Sequence, residues 1–492
     1  MSADDPHRML IGGRWVPGGA GGWFESFDPA TGEPWCRVAE ATPSDVDTAV
    51  RTADEVFRSG AWSGLSATER GARVTRLARL VETHAEELAA LETRETGKLL
   101  RETRALLAYV PRYYDYYAGL ADKLEGATFP VDKPEMFVYS RREPLGVVAI
   151  VVPWNSPNYL TSVKLAPALI AGNTVVIKPS EHASLPILRL AALCAEAGIP
   201  DGVVNVVTGR GETGAALCGH PLVRRIAFTG GPETARKVVE SSAANFARLS
   251  LELGGKSPNL VFADADLDDA VTGIVAGSFA ASGQSCVAGT RVLLQEGIAD
   301  EVVERIVARM DGIRIGPPAE AGTEMGPIAL RSQLDHISAA VDAARADGAR
   351  VITGGQRAEV APGGWFFPPT VVTGGEHTRL SREELFGPVI SVFRFRDEAE
   401  AVRLANDTTY GLAAGIWTKD LGRAHRIARD VRAGIVWVNT YRASSPMVPF
   451  GGRGDSGYGS EAGLEGVDSY LQPKVVWVNL ATTPMPDPFV MR

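Results

Sequence analysis

The hydrophobic pattern divides the chain into a helical first part and a longer region where two textures alternate. From Pro43 to about Leu124, apolar residues recur at steps of three and four, the period of an amphipathic helix. "TPSDVDTAVRTADEVF" opens that part with Thr, Ser and Asp, whose side chains accept from the free amides of a first helical turn. In "YVPRYYDYYAGL", Tyr109, Tyr113 and Tyr117 stand four apart and are expected on one helix face, as a packing stripe or, alternatively, as the lining of a pocket.

From Val147 the texture changes. "VVAIVV" is continuously apolar, as in a strand covered on both faces. Helical "VKLAPALIAG", "LPILRLAALCAEAG" and "ETGAALCGHP" then alternate with strand-like "NTVVIKP", "VVNVVTG" and "RRIAFTG". Short Gly and Pro punctuation separates them, which predicts a parallel α/β sheet with right-handed crossovers. A second alternation starts near Leu260. Its helices are "DDAVTGIVAGSFAASG", "ADEVVERIVARM", "RSQLDHISAAVDAARADG" and "EAEAVRLAND", and its strands include "TRVLLQEG" and "ARVITGG". Two α/β domains joined near "LELGGKSP" are therefore expected. Near the C-terminus "KVVWVNL" is β-like without a following partner, so it should pair with another strand, a second subunit being one source.

Composition narrows the function classes. A chain of 492 residues with 45% hydrophobic content exceeds one core and implies two or three domains. Its net charge is -9, and the densest basic spots are the pairs Arg141-Arg142 and Arg224-Arg225. Phosphate backbones need clustered cations, so no nucleic-acid partner is expected. No apolar run reaches the ~18–20 residues of a membrane span. "MSADDPHRML" carries acids where a signal peptide is basic, so no membrane association and a cytoplasmic location are expected. Cys36, Cys194, Cys218 and Cys286 form no CxxC pair, which suits free thiols in a reducing compartment. The seven histidines are scattered, and no metal is expected.

Two glycine loops compete for a phosphate. Gly209 to Gly214 fits G-x-G-x-x-G between a strand and a helix, but no acid ends the next strand. The loop holding Gly230 and Gly231 also follows a strand and opens a helix. The chemically suggestive residues sit at similar joins. "VVPWNSP" holds Asn155 between prolines, "LELGGKSPN" puts Glu252 before two glycines, and "EELFGPV" carries Glu384 and Phe386. "AASGQSCVAGTR" surrounds Cys286 with small residues, either as a filler thiol at a tight turn or to leave the sulfur open to approach.

In this order the motifs resemble those of the NAD(P)-dependent aldehyde dehydrogenase superfamily, over almost the whole length. "FDPATGEP", "PWNSP", "KLAPALIAGNTVVIKPSE", "FTGG", "LELGGKSP", "GQSCVAGTR", "EELFGPV", "NDTTYGLAAGIWT" and "PFGGRGDSGYG" carry the resemblance. The "FAASGQSCVAGTR" stretch is most similar to a bacterial subgroup of largely uncharacterised members. The resemblance implies a Rossmann-like NAD-binding domain (1–124 and 145–253) and a second, cysteine-bearing catalytic α/β domain (254–453). It also implies a small β oligomerisation extension (125–144 and 470–492) and a homodimer or homotetramer.

It further implies roles. Cys286 would attack the aldehyde carbon, with the Asn155 amide and the Cys286 backbone N–H as oxyanion donors. Glu252 would activate water for thioester hydrolysis, and Lys164 would lie near the oxyanion network. Lys178 and Glu181 would meet the adenosine ribose, favouring NAD over NADP because a carboxylate repels a 2′-phosphate. Gly230 and Gly231 would cradle the pyrophosphate, with Gly209 as the remaining cofactor candidate. Glu384 would hold the nicotinamide ribose, Phe386 would support the ring, and Trp154 would border the cleft. Ser156, Leu160, Val163, Ser285, Val287 and Phe450 would line a substrate tunnel, roomy where Ser156 and Val163 are small. Small neighbours of Cys286 would leave space for both aldehyde and nicotinamide. The chain departs from the usual pattern at Gly231, Ala235, Gly454 and Ser460. A CoA-acylating relative generally lacks the glutamate that Glu252 supplies. A cysteine hydrolase or transferase would need a histidine, and none lies in these motifs.

Overall fold

The computed structural model of the protein describes residues 6–19, 21–485 and 487–490. The first five residues of "MSADDPHRML", and residues 486, 491 and 492 of the expected C-terminal extension, lie outside them.

The "VVAIVV" run is the strand Val147–Val152. Val148 and Ile150 pack into one apolar layer with Leu165 and Leu169, while Val147 and Ala149 face Ile226 and Phe228 in another. Cover on both faces is why the run is apolar throughout. Among the described residues its sheet has eight strands. Their order is Gly457–Tyr458, Arg248–Glu252, Val223–Thr229, Val147–Val152, Thr174–Pro179, Val204–Val206, Met9–Ile11, Arg14–Val16. From Arg248–Glu252 to Val204–Val206 neighbours are parallel, and antiparallel strands complete the edges. The chain runs outward from Val147–Val152 through Thr174–Pro179 to Val204–Val206. It then returns on the other side with Val223–Thr229. That reversal opens a crevice at the carboxyl ends of Val147–Val152 and Val223–Thr229, where open α/β sheets bind ligands.

The second alternation builds another sheet, seven-stranded among the described residues. Its order is Arg350–Thr353, Thr370–Thr373, Val389–Phe395, Arg291–Gln295, Pro258–Val261, Ala413–Trp417, Ile435–Val438. Every pair in it is parallel except the first. Glu252 ends a strand of the first sheet and Pro258 begins one of the second, so "LELGGKSP" is the covalent bridge between them.

Local signals explain most boundaries. Thr42 and Asp45 form a reciprocal capping box before the helix Pro43–Ser59. The expected tyrosine face is interrupted: one helix ends at Tyr109 and the next starts at Pro111, whose ring cannot continue the ladder. Tyr113 and Tyr117 share the second helix, and Tyr109 reaches Tyr113 edge-on at 6.0 Å. The helix expected through "FAASG" stops at Phe279. Ala281, Ser282 and Gly283 follow with φ of 54°, 55° and 71°, a left-handed turn that no α-helix contains.

"KVVWVNL" lies in the strand Leu471–Asn479, which pairs antiparallel with Met136–Pro144 of the same chain. Phe137, Val475 and Trp477 on this ribbon are exposed. Among the described residues, no helix is long and apolar enough to cross a membrane.

Candidate active site

Cys286 stands between the left-handed turn and the strand Arg291–Gln295. Its loop is pinned from several sides. The Gln284 side-chain oxygen accepts from the Ala329 amide at 2.9 Å, and Ser282 Oγ donates to the Gly326 carbonyl at 2.8 Å. Buried Arg291 donates to the carbonyls of Lys256, Leu404 and Ala405. The small neighbours have two different causes. A Cβ at Gly283 would overlap the Gly387 carbonyl, and one at Gly289 would overlap the Asn259 amide. Those glycines are small because backbone and core press against them, not because they leave room for ligands. Ser285, Cys286 and Val287 do face open space, a cleft of about 1370 Å³ between the two sheets.

Asn155 and Glu252 line the same cleft. Asn155 follows the strand Val147–Val152, and its amide donates to the Gln284 carbonyl at 3.1 Å. That bond ties the amide to the loop carrying the thiol. Glu252 is buried, yet neither carboxylate oxygen has a hydrogen-bond partner. Burial holds its pKa well above the ordinary carboxylate range, Glu461 raises it further, and Lys164 opposes them. The Cys286 thiol is pushed up to about 12 by burial, then by Glu384 and Glu252, with Arg442 opposing. An acidic thiol is not what this environment provides, so a base must take its proton.

Lys164 is not on the cleft wall. Its fully buried ammonium donates to both oxygens of Glu461, which does line the cleft. Sequence reasoning missed Glu461 as a site residue, although it follows directly on the "SGYGS" that departs from the usual motif.

Trp154, Gly230, Gly231, Glu384 and Phe386 line the same cleft. Trp154 and Phe386 come from different sheets and meet edge-on, 5.4 Å between centroids at 89°. Phe386 holds φ of 50°, a strained value for a bulky residue. Glu384 accepts from the Gly255 amide at 2.9 Å, and burial pushes its carboxyl up to about 7. A Cβ at Gly254 would overlap that carboxylate, which explains one glycine of "LELGG". Gly231 precedes the helix Pro232–Ser242, whose first-turn amides have no side-chain cap. A Cβ there would meet nothing within 4 Å, and the buried Thr229 hydroxyl beside it has no partner. An open helix N-terminus with spare donors, at the sheet's reversal point, fits a dinucleotide pyrophosphate.

Lys178 and Glu181 lie at the carboxyl end of the neighbouring strand Thr174–Pro179, ion-paired at 3.3 Å and outside the cleft lining. Gly209 is also outside it, next to Thr213. Ser156, Leu160, Val163 and Phe450 join Ser285 and Val287 in lining the cleft. The structure adds residues that carried no sequence signal. Lys98 donates to Ser156 Oγ at 2.6 Å, and Arg442 donates to Ser285 Oγ at 3.4 Å. Tyr109 and Tyr113 also line the cleft, so the expected packing stripe serves partly as a wall.

The model of the Aldehyde dehydrogenase family matches residues 15–476. A curated relative from Acinetobacter baylyi, (Z)-2-((N-methylformamido)methylene)-5-hydroxybutyrolactone dehydrogenase, is 51% identical over 488 residues, 99% of each chain. Among solved structures, betaine aldehyde dehydrogenase from Staphylococcus aureus in complex with NAD+ superposes with a TM-score of 0.96 at 38% identity, covering 99% of this chain and 97% of that one. PnpE in complex with nicotinamide adenine dinucleotide matches at a TM-score of 0.95 and 43% identity, over 98% and 99%.

Proposed function

The chain belongs to the aldehyde dehydrogenase family, and on that premise we propose that this cleft oxidises an aldehyde to its carboxylic acid with NAD, through a thioester on Cys286. The observation that carries the reading is the convergence of three groups on one cleft. They are a thiol, an amide tied to the thiol's loop, and a buried carboxylate with both oxygens unpartnered.

Each group has a task. Glu252, with its raised pKa, is a base poised to take the proton of Cys286 and later that of water. The Cys286 sulfur bonds the aldehyde carbon, and the Asn155 amide offers an N–H to the resulting oxyanion. NAD, when bound, supplies a hydride acceptor. Trp154, Phe386 and Glu384 would hold its nicotinamide end, and the amides of the helix after Gly231 would take its pyrophosphate. Water, activated by Glu252, then releases the acid. Glu252 gives the first proton to solvent in the open cleft before it acts on water, and Glu461, paired with Lys164, raises its hold on a proton through charge. The second task, activating water, is the one that a CoA-acylating reaction does not need, and relatives that run it generally lack this glutamate.

Glu181 supports NAD over NADP, because its carboxylate accepts from ribose hydroxyls and repels a 2′-phosphate. Residues 1–124 and 145–253 act as the NAD-binding domain, and 254–453 as the catalytic domain. The ribbon from 125–144 and 470–492 joins copies into a homodimer or homotetramer through its exposed Phe137, Val475 and Trp477. Among the described residues the four cysteines are unpaired, which suits a cytoplasmic setting.

The test is an aldehyde panel assayed with NAD and with NADP, without CoA. One NADH per molecule of free acid is expected. NADH formation only when CoA is supplied would overturn the hydrolytic route.

A further inference from the structure

The reaction does not require two of the cleft's cations. Lys98 and Arg442 both line it, and each donates to a serine beside a reacting group: Lys98 to Ser156, next to Asn155, and Arg442 to Ser285, next to Cys286. Arg442 is the less satisfied. Its guanidinium has hydrogen bonds of 3.4 Å to the Ala276 carbonyl and 3.4 Å to Ser285 Oγ. Among the described residues no carboxylate forms an ion pair with it. Its backbone is left-handed, with φ of 65°, a conformation that a long side chain holds only under constraint from its surroundings. The Arg442 charge favours the Cys286 thiolate; the Lys98 ammonium is disfavoured first by burial and then by Arg442, with Glu92 and Glu102 opposing.

Four acids stand nearby: Glu384 and Glu252, which act on Cys286 more strongly than Arg442 does, and Glu92 and Glu102 beside Lys98. Glu92 lies 3.8 Å from the Lys98 ammonium, but its other oxygen is taken by the Asn158 amide, and burial holds its carboxyl above the ordinary range. Glu102 accepts from the Ala281 amide at 2.9 Å, and its second oxygen is covered by protein. Beside Ser156 and Ser285, next to the reacting groups, the cleft wall therefore presents the Lys98 and Arg442 donors, of which Arg442 has no carboxylate partner among the described residues. A hydrocarbon aldehyde would offer Arg442 nothing beyond its two long hydrogen bonds while covering it from water. A carboxylate would take both Arg442 N–H groups as a bidentate pair and could share the Lys98 ammonium.

We propose that the substrate is an aldehyde carrying a carboxylate a few bonds from the carbonyl, an ω-oxo acid, and that Arg442 is its specificity-determining partner. This rests on the dehydrogenase reading above. The probes are 4-oxobutanoate and 5-oxopentanoate, each beside its methyl ester, with NAD. The protein should favour at least one acid over its ester by about tenfold or more in kcat/KM, mainly through KM, as expected for a charge-assisted pair. Arg442→Met should bring that ratio close to one, and Arg442→Lys should restore part of it. Thermal unfolding of each variant, with and without NAD, reports whether it folds and binds cofactor. If Arg442→Met does not fold, the wild-type ratio and Arg442→Lys decide. Esters oxidised as well as acids, or a ratio unmoved by Arg442→Met, would overturn the inference and leave the dehydrogenase standing. NAD reduction with no aldehyde at all would overturn both.

Discussion

Lys164 and Glu461 form a buried ion pair, with the Lys164 ammonium donating to both Glu461 oxygens behind the Glu252 carboxyl. The pair sets Glu252 from two sides, since Glu461 raises its pKa and Lys164 lowers it. A carboxyl acting as base must be ionised, so the rate rises as pH passes its pKa. Lys164→Met should move that limb to higher pH, and Glu461→Gln should move it lower. Either change leaves a buried charge unpaired, which costs ~3–5 kcal/mol. Rate–pH profiles and thermal unfolding of the two variants check this together.

Glu384 links stability to pH. Its folded pKa of about 7 exceeds the ordinary 4.5, so the folded state holds a proton the unfolded chain releases between those values. Its contribution to stability is present below pH 4.5 and falls away as pH rises toward 7. Buried Lys256 runs the other way: its pKa is lowered to about 7 from 10.5, so its penalty is present below 7 and fades as pH rises above it. In protein without NAD, Glu384→Gln should flatten the fall in melting temperature between about pH 5 and 7, the span set by these shifts.

Asn155→Ala should lower kcat by ~10²–10³-fold, the usual loss for one oxyanion donor. NAD affinity, read by thermal shift, should stay near the wild-type value. A loss of NAD binding equal to the loss of rate would place Asn155 in cofactor binding instead.

The glycines separate by what surrounds them. Gly254→Ala drives a methyl group into the Glu384 carboxylate and should weaken NAD binding and stability together. Gly231→Ser meets nothing within 4 Å and sits at a helix N-cap, so it should fold and gain a few tenths of a kcal/mol. Melting curves with and without NAD distinguish the two.

Much of the architecture was legible because its signals are local. Strand Val147–Val152 is apolar throughout because both faces are covered, and Thr42 with Asp45 announces a helix. The break after Tyr109 was visible as Pro111 but outweighed by the tyrosine spacing. What stayed hidden depends on distant neighbours. Gly283 and Gly289 are small because Gly387 and Asn259 press on them, and no window around Cys286 contains either. Glu461 meets Lys164 from the far end of the chain, and Arg442 faces Cys286 from a loop without a motif. Spacing cannot say which acid meets which base. Ala281 and Ser282 adopt a left-handed turn that their own preferences oppose, so packing decides it.

The most direct measurement uses Glu252→Gln. Mixed with an aldehyde and NAD, this variant should release one slow burst of NADH, slow because Cys286 has lost the base that takes its proton, and should stop at one equivalent per site. Intact-mass and peptide analysis should find the acyl group on Cys286. Steady turnover at the wild-type rate, or a burst with no adduct on Cys286, would contradict a thioester mechanism with Glu252 as the base that resolves it.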